Sequence, residues 1–441
     1  MRYMRAERIG VVILEGGNPA DIIEQQMVSV RKALTLDIIE RVRDIPEIDG
    51  VYLSTNYPDL AEAATALGAV AVAETAPFHF GTRLRDVIRL HQLDGVIYVG
   101  GASSPFLSAD EFREVARGLR QRKRVVYTNN VQSADFIAFT PGSAIELIEL
   151  PAIDNVLANL LRSQAGLERI LLPHSVGVHF DVDTPSDVLV MSLSPRLGPR
   201  SRLAIQQLDW RVDRVARAKE LLALPRSRIL LAGRVNPWTM SEIGTHFRCR
   251  LRVISEERGM RAMGRAEQGE VHSLLGFLLE QLSPQGLVQY ISNIADAAFL
   301  DTRVIFAHLG WRLSEGQRFA SDLGLVDRLE HPLLAEFTAA AFAAPIPIIL
   351  GGHSLVAGSM WSLVDTLRYE AGELQPPAEY RQVSLGPGHP LVGQRLMDVA
   401  GALPGEVVAL DDGVALRTAF RRDLVLQPGM GLYCRVLSRR L

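Results

Sequence analysis

Leu14-Glu15-Gly16-Gly17 follows directly on the apolar run Ile9–Leu14. Glycines at such a turn let backbone N–H groups approach an anion closely, and the start of a following helix adds a favourable dipole. A tight strand-to-helix turn without a ligand would use the same residues. Lys32, further along, offers a cation where phosphate oxygens could be reached. Asp181-Val182-Asp183-Thr184-Pro185-Ser186-Asp187 sets three carboxylates around a proline that suits the first turn of a helix. Asp187 reads as a cap or support for that helix, and Asp183 could cap it too.

Two later loops carry arginines among glycines: Gly233-Arg234 and Glu256-Glu257-Arg258-Gly259-Met260-Arg261-Ala262-Met263-Gly264-Arg265. Guanidinium forks bind phosphate or carboxylate in two-point contact. A solvated basic loop paired with Glu256 and Glu257 is the alternative. Gly351-Gly352-His353-Ser354 places a histidine that could act as a general base, contact an anion, or simply fill a turn. Asn293, Asp296 and Asp301 precede a further apolar run. No nucleophile elbow and no closely spaced histidine set for a metal occurs in this stretch.

The elements that must position these residues follow from periodicity. Strands are expected at 9–14, 51–54, 70–72, 96–99, 125–127, 136–139 and 177–182, and helices at 28–42, 59–67, 84–93, 109–119, 145–161 and from 186. That alternation implies an α/β, doubly wound, mostly parallel sheet of Rossmann-like kind, with ligands at the carboxyl ends of its strands. The Pro-, Gly- and Arg-rich segment 194–202 reads as a boundary. A second α/β unit over 201–376 is expected to hold strands at 228–232, 303–308 and 346–350. Residues 375–379 punctuate the chain before a small α+β tail over 383–441, with a helix starting near His389. Three units (1–195, 201–376 and 383–441) agree with 441 residues at about 150 per domain.

With 48% hydrophobic and 22% charged residues the chain is not disordered. A net charge of -3 supplies no basic field, so neither nucleic acid nor membrane is expected as a partner. Cys249 and Cys434 alone cannot build a disulfide framework or a Cys-rich zinc module. The basic start followed by a short apolar run reads as a strand rather than a signal peptide. The apolar stretch 338–350 is too short, and too broken by Pro345 and Pro347, to span a bilayer. A cytoplasmic protein is expected.

Phe80-Gly81-Thr82 opens a helix before the fourth strand, and Val99-Gly100-Gly101-Ala102-Ser103-Ser104-Pro105-Phe106-Leu107 ends that strand. Together with the first loop, Lys32 and the segment 180–187, this order resembles the nucleotidyltransferase branch of the GT-A fold over residues 8–193. The branch includes molybdenum-cofactor guanylyltransferases, phospholactate guanylyltransferases and sugar-nucleotide pyrophosphorylases. Leu14, Gly16 and Gly17 match its opening motif, while Glu15 stands where that motif has Ala and no Arg follows in Asn18-Pro19-Ala20-Asp21. Ser103 and Ser104 precede Pro105 where the family places an Asp.

The resemblance implies transfer of a nucleoside monophosphate from a nucleoside triphosphate to a small phosphorylated acceptor, with release of pyrophosphate. Leu14, Gly16 and Gly17 would cradle the nucleotide and Lys32 would steady phosphate oxygens. Gly81 and Ser103 would line the nucleoside, and Asp183 would hold Mg²⁺. His79 could stack on a base or contact phosphate, or pack within its loop. Asn130 and Asp135, with Asn129 and Ser133, could read the acceptor or form an ordinary turn. A GT-A glycosyltransferase is disfavoured, because its paired Asp-x-Asp ends a middle strand and Asp181-Val182-Asp183 comes later.

Residues 383–438 resemble the RCK-C ligand-binding domain of potassium-conductance regulators, through His389-Pro390-Leu391-Val392-Gly393 and Gln427-Pro428-Gly429-Met430-Gly431. Met430 stands where that family has Asp. The likeness implies a homodimer and a small anionic effector at the tail. Against the enzyme stands a catalytically lapsed nucleotide or metabolite sensor on the same fold, suggested by the missing arginine and the two serines.

Overall fold

The computed structural model describes residues 7–73, 78–131, 134–375, 380–413 and 416–436. Ser133, Pro77, the 376–379 segment and Val414-Ala415 lie outside them. Every residue of β1 (Ile9–Leu14) is buried, as a central strand covered on both faces must be. It pairs in parallel with β2 (Gly50–Thr55) and with β4 (Gly95–Gly100), so that Val11 lies beside Val51 and Ile97. With β3 (Val70–Ala73), β5 (Val125–Thr128), β6 (Phe136–Thr140) and β7 (Glu168–Leu171) these form a seven-stranded sheet in the order β3-β2-β1-β4-β6-β5-β7. Only β6 runs antiparallel to its neighbours. The α/β, doubly wound, mostly parallel architecture is as expected.

Two local expectations fail in this unit. The segment 177–182 is not a strand: Val176–His179 forms one helical turn, and only Asp181 bridges back to Ser103. The last strand is β7 instead, whose polar, half-exposed residues give no apolar run to read. Residues 145–161 hold two short 3-10 turns and the helix Leu157–Ser163 rather than one long helix.

In the second unit β8 (Arg228–Gly233), β9 (Arg250–Ser255), β10 (Ala297–Asp301) and β11 (Ile348–Gly351) form an all-parallel sheet in the order β11-β10-β8-β9. The expected strand 303–308 is the helix Thr302–His308, and β10 lies just before it. A short apolar run cannot by itself separate a buried strand from a buried helix. The tail carries β12 (Tyr380–Ser384), β13 (Glu406–Asp411), β14 (Leu416–Arg417) and β15 (Gly431–Arg435) as an antiparallel sheet in the order β12-β15-β13-β14. Its helix is the single turn Leu396–Val399, not a run from His389.

The first two sheets share one apolar core, in which Met27 and Val188 meet Leu231, Phe299 and Met360. The long helix Ile22–Val42 sits at that junction, with Asp21 capping it by accepting from the Ile23 and Glu24 N–H groups at 2.8 and 2.9 Å. Starting within the segment read as a boundary, the helix Pro199–Gln206 docks on the long helix. There Asp37 accepts from the Ser201 N–H at 2.9 Å and Arg200 pairs with Glu40 at 2.6 Å. The tail reaches the same helix through Arg435, which bonds the Glu40 carbonyl and the Asp44 carboxylate. No helix among the described residues is long and apolar enough to cross a membrane.

Candidate functional site

A cavity of about 720 Å³ opens where the carboxyl ends of both parallel sheets face each other. Leu14 to Gly16 after β1, Ala102 and Ser103 after β4, and Asn129 and Asn130 after β5 form one wall. Arg234 after β8, Arg258 and Arg261 after β9, and His353 after β11 form the other. Loops at carboxyl ends are where open α/β sheets bind ligands. The second unit, which the sequence leaves without a role, therefore completes the cavity of the first.

The first loop is held open by Glu15. Its carboxylate, almost fully buried, accepts from Arg31 Nε at 3.1 Å. Gly101 lets it fit, because a Cβ there would lie 2.1 Å from Glu15 Oε2. Gly101 also donates its N–H to the Leu14 carbonyl at 3.2 Å, which ties the β1 and β4 loops together. Of these two neighbours on the long helix, Arg31 and not Lys32 lines the cavity. Lys32 turns away, donating to both oxygens of Asp59 at 2.8 Å while lying over the Tyr57 ring. Neighbouring helix residues point about 100° apart, so one of the two must leave the cavity. Lys32→Ala is expected to change affinity for any cavity ligand by less than about two-fold. Arg31→Ala, which removes the partner of a buried carboxylate, lowers the melting midpoint clearly. Calorimetric titration and thermal unfolding of the two variants check this contrast.

Asp183 stands exposed on the wall, its N–H held by Asp187 Oδ2 at 3.2 Å. Asp187 is fully buried and also accepts from the Thr184 N–H and hydroxyl and from Ser359 Oγ, so it supports the turn as expected rather than facing ligand. Around Asp183 gather Asp135, Asp154 and Asp181. Burial, then repulsion from Asp183, pushes the Asp135 and Asp181 carboxyls well above the usual range. Burial also raises Asp154, although Tyr98 donates to it at 2.9 Å. Asp135 is steadied by Asn155 Nδ2 at 3.2 Å, and its N–H donates to Asn129 Oδ1.

Of the other expected residues, Leu14, Gly16, Ser103, Asn130 and Asp135 lie on the wall. Gly17, Gly81 and His79 do not. Gly17 exchanges two hydrogen bonds with the Asn56 side chain, at 3.1 and 3.0 Å. Gly81 packs against Pro151, whose backbone would lie 2.9 Å from an added Cβ. His79 caps the helix Phe80–His91, its Nδ1 accepting from the Thr82 N–H at 3.3 Å.

On the far wall Arg234 forks onto Asp301 at 2.6 and 3.1 Å. Burial works to raise the Asp301 carboxyl, and the guanidinium overrides it. His353 is pushed down to about 4, by burial and then by Arg234, so it stays neutral near pH 7. Asp296 is spent on Arg228 outside the cavity. Sequence reasoning missed a ring ladder: His174 meets Trp238 at 4.2 Å and His179 at 4.9 Å, and His179 meets Trp361 at 4.7 Å. Trp238 is exposed within the cavity, and such a face suits a planar ring. The rings come from distant segments, so no local pattern announces them.

No family model matches the chain, and no curated protein does. Among solved structures it is similar to a CMP:2-keto-3-deoxy-manno-octonic acid synthetase complexed with CTP. The identity is 16% over 46% of this chain and 100% of that one, with a TM-score of 0.34. A cytidylyltransferase from Leptospira borgpetersenii is similar at 14% identity over 42% of this chain and 86% of that one, with a TM-score of 0.34. The bifunctional IspDF from Campylobacter jejuni is similar at 10% identity over 39% and 51%, with a TM-score of 0.30. These likenesses concern fold alone.

The donors on the acidic wall are hard carboxylate oxygens, which suit Mg²⁺. Among the described residues no three His, Cys, Asp or Glu side chains converge to hold a metal ion. An ion here would be held by one or two carboxylates, Asp183 first, and phosphate oxygens would have to complete its shell. The two serines do not replace the missing carboxylate alike. Ser103 is on the wall, whereas Ser104 is buried in a left-handed turn at φ 49°.

Proposed function

We propose that this chain is a nucleotidyltransferase. It takes a nucleoside triphosphate and a small phosphorylated acceptor into the shared cavity. An acceptor phosphate oxygen attacks the α-phosphorus; the new P–O bond forms as the α–β bridge breaks, and pyrophosphate leaves with the bridging electron pair. The observation that carries this reading is the placement of exposed Asp183, amid raised carboxyls, opposite arginines across one cavity. Such a division positions phosphates and offsets their charge, which is most of what this reaction asks of a protein.

Asp183 would hold Mg²⁺, which supplies charge neutralisation on the phosphates. Leu14 and Gly16 would border the nucleotide, and the phosphate-steadying role expected of Lys32 would fall to Arg31. Ser103 would line the nucleoside; Asn130 and Asp135 would face the acceptor. One structural observation favours the sensor as a second reading: Ser104 is buried, so the β4 loop brings no carboxylate to the cavity.

The discriminating experiment incubates the full chain and Mg²⁺ with a panel of nucleoside triphosphates and phosphorylated acceptors, and measures pyrophosphate. Release with at least one pair is expected. Tight triphosphate binding with no release across the panel would favour the sensor.

A further inference from the structure

The loop 256–265 carries two guanidinium groups that have no partner among the described residues. Its own carboxylates engage groups other than these two: Glu256 accepts from Ser273 Oγ at 2.6 Å and from the Leu274 N–H at 2.9 Å. Glu257 pairs with Arg265 at 2.6 Å and accepts from the His272 N–H at 3.2 Å. The alternative in which these glutamates neutralise the loop therefore holds for Arg265 alone. Arg258 and Arg261 both line the cavity, and neither side chain has a hydrogen bond or ion pair among the described residues. Burial alone pulls Arg258 down, with no acid to offset it.

The surroundings are also cationic. Arg258 disfavours protonation of His353, and Arg261 and Arg303 both disfavour the charge on Arg318. Arg318 Nε is buried with no hydrogen-bond partner among the described residues, and Asp301 is already committed to Arg234. The acids facing Arg318 are the exposed Glu315 and the buried Asp322, and Asp322 is already forked by Arg303. The loop is not a loose tether, since Met260, between the two arginines, is 2% exposed and packs on Val271 and Val304. A basic half-cavity held in place by an apolar anchor is thus set against an acidic half-cavity.

We propose that Arg258 and Arg261 bind the non-bridging oxygens of a substrate phosphate group, making the second unit the phosphate-gripping half of the site. The inference rests on the transfer reading only for which substrate brings the phosphate: the triphosphate chain, in place of the arginine absent from residues 18–21, or the acceptor monoester. Arg258 is half-buried and Arg261 exposed, and two such charged hydrogen-bonding forks together have effects on the order of 30-fold in affinity.

The test is calorimetric titration of the full chain, in metal-free buffer, with pyrophosphate and separately with inorganic phosphate. The Arg258→Ala/Arg261→Ala double variant should bind at least one probe about 30-fold more weakly. The Arg258→Lys/Arg261→Lys variant, which keeps charge but not the fork, should fall between it and the unaltered chain. Loss confined to pyrophosphate assigns the triphosphate, and equal loss of both assigns the monoester. Should the alanine variant lose its near-UV circular dichroism, Arg258→Gln and Arg261→Gln are titrated singly. Affinities for both probes within about two-fold of the unaltered chain overturn the proposal, as does an unaltered chain that binds neither. Probe binding through the loop with no pyrophosphate release would sink the transfer reading alone. Release that survives the double variant with unaltered affinities would sink the loop alone.

Discussion

Under the transfer reading, Asp183→Asn is expected to lower pyrophosphate release about 1,000-fold, the scale on which a site loses one preorganised charge-stabilising group. The fold survives, because Asp183 is exposed and its backbone N–H stays bonded to Asp187. A second readout separates this role from simple damage. After burial, Asp183 is the next cause of the raised Asp135 and Asp181 carboxyls. Removing a like charge favours the ionised form, so both residues titrate at lower pH in the variant. Carboxyl-carbon NMR of the two proteins measures that displacement. Release within about three-fold of the unaltered chain would take the acidic wall out of the chemistry.

Gly358→Ala is expected to cost about 3 kcal/mol of stability. Gly358 opens the helix Gly358–Glu370 of the second unit against backbone of the first. A Cβ there would lie 2.1 Å from the His179 carbonyl oxygen and 2.5 Å from Phe180 Cα. Main chain cannot swing aside as the tip of a long side chain can, so the joint itself must open. His179 lines the cavity, and Ser354 Oγ donates to the Asp181 carbonyl at 2.5 Å beside it, so ligand affinity falls along with stability. Guanidinium unfolding and pyrophosphate titration of the variant check both effects. An unchanged midpoint would mean that the two sheets do not rely on a common packed joint.

The first sheet was largely readable because its central strands are short, doubly buried apolar runs between turn residues, and burial on both faces leaves that mark in composition. β7 was missed because a half-exposed edge strand lacks it, and the helix Thr302–His308 was mistaken for a strand because Val304-Ile305-Phe306 is too short to show its period. Within the site, Leu14, Gly16, Ser103, Asn130, Asp135 and Asp183 do reach the wall, since each follows the end of a strand or a turn beside one. Gly17, Gly81 and His79 sit equally close to such turns and Lys32 sits mid-helix beside Arg31, but contacts with Asn56, Pro151, Thr82 and Asp59 claim them.

The residue order alone determined an α/β sheet with the Gly16 and Ser103 loops at strand ends, because strand periodicity and turn chemistry act between near neighbours, but it set Asp183 after a strand that does not form. It also marked the arginine loops as suited to anions. Only the tertiary structure decided that Arg31 rather than Lys32 faces the cavity, that Glu256 and Glu257 are spent elsewhere, and that Arg258 and Arg261 meet Asp183 across one space. The physical reason is that partner choice and facing depend on packing between segments far apart in the chain, as between Ser354 and Asp181. Such packing leaves no periodic trace in either segment.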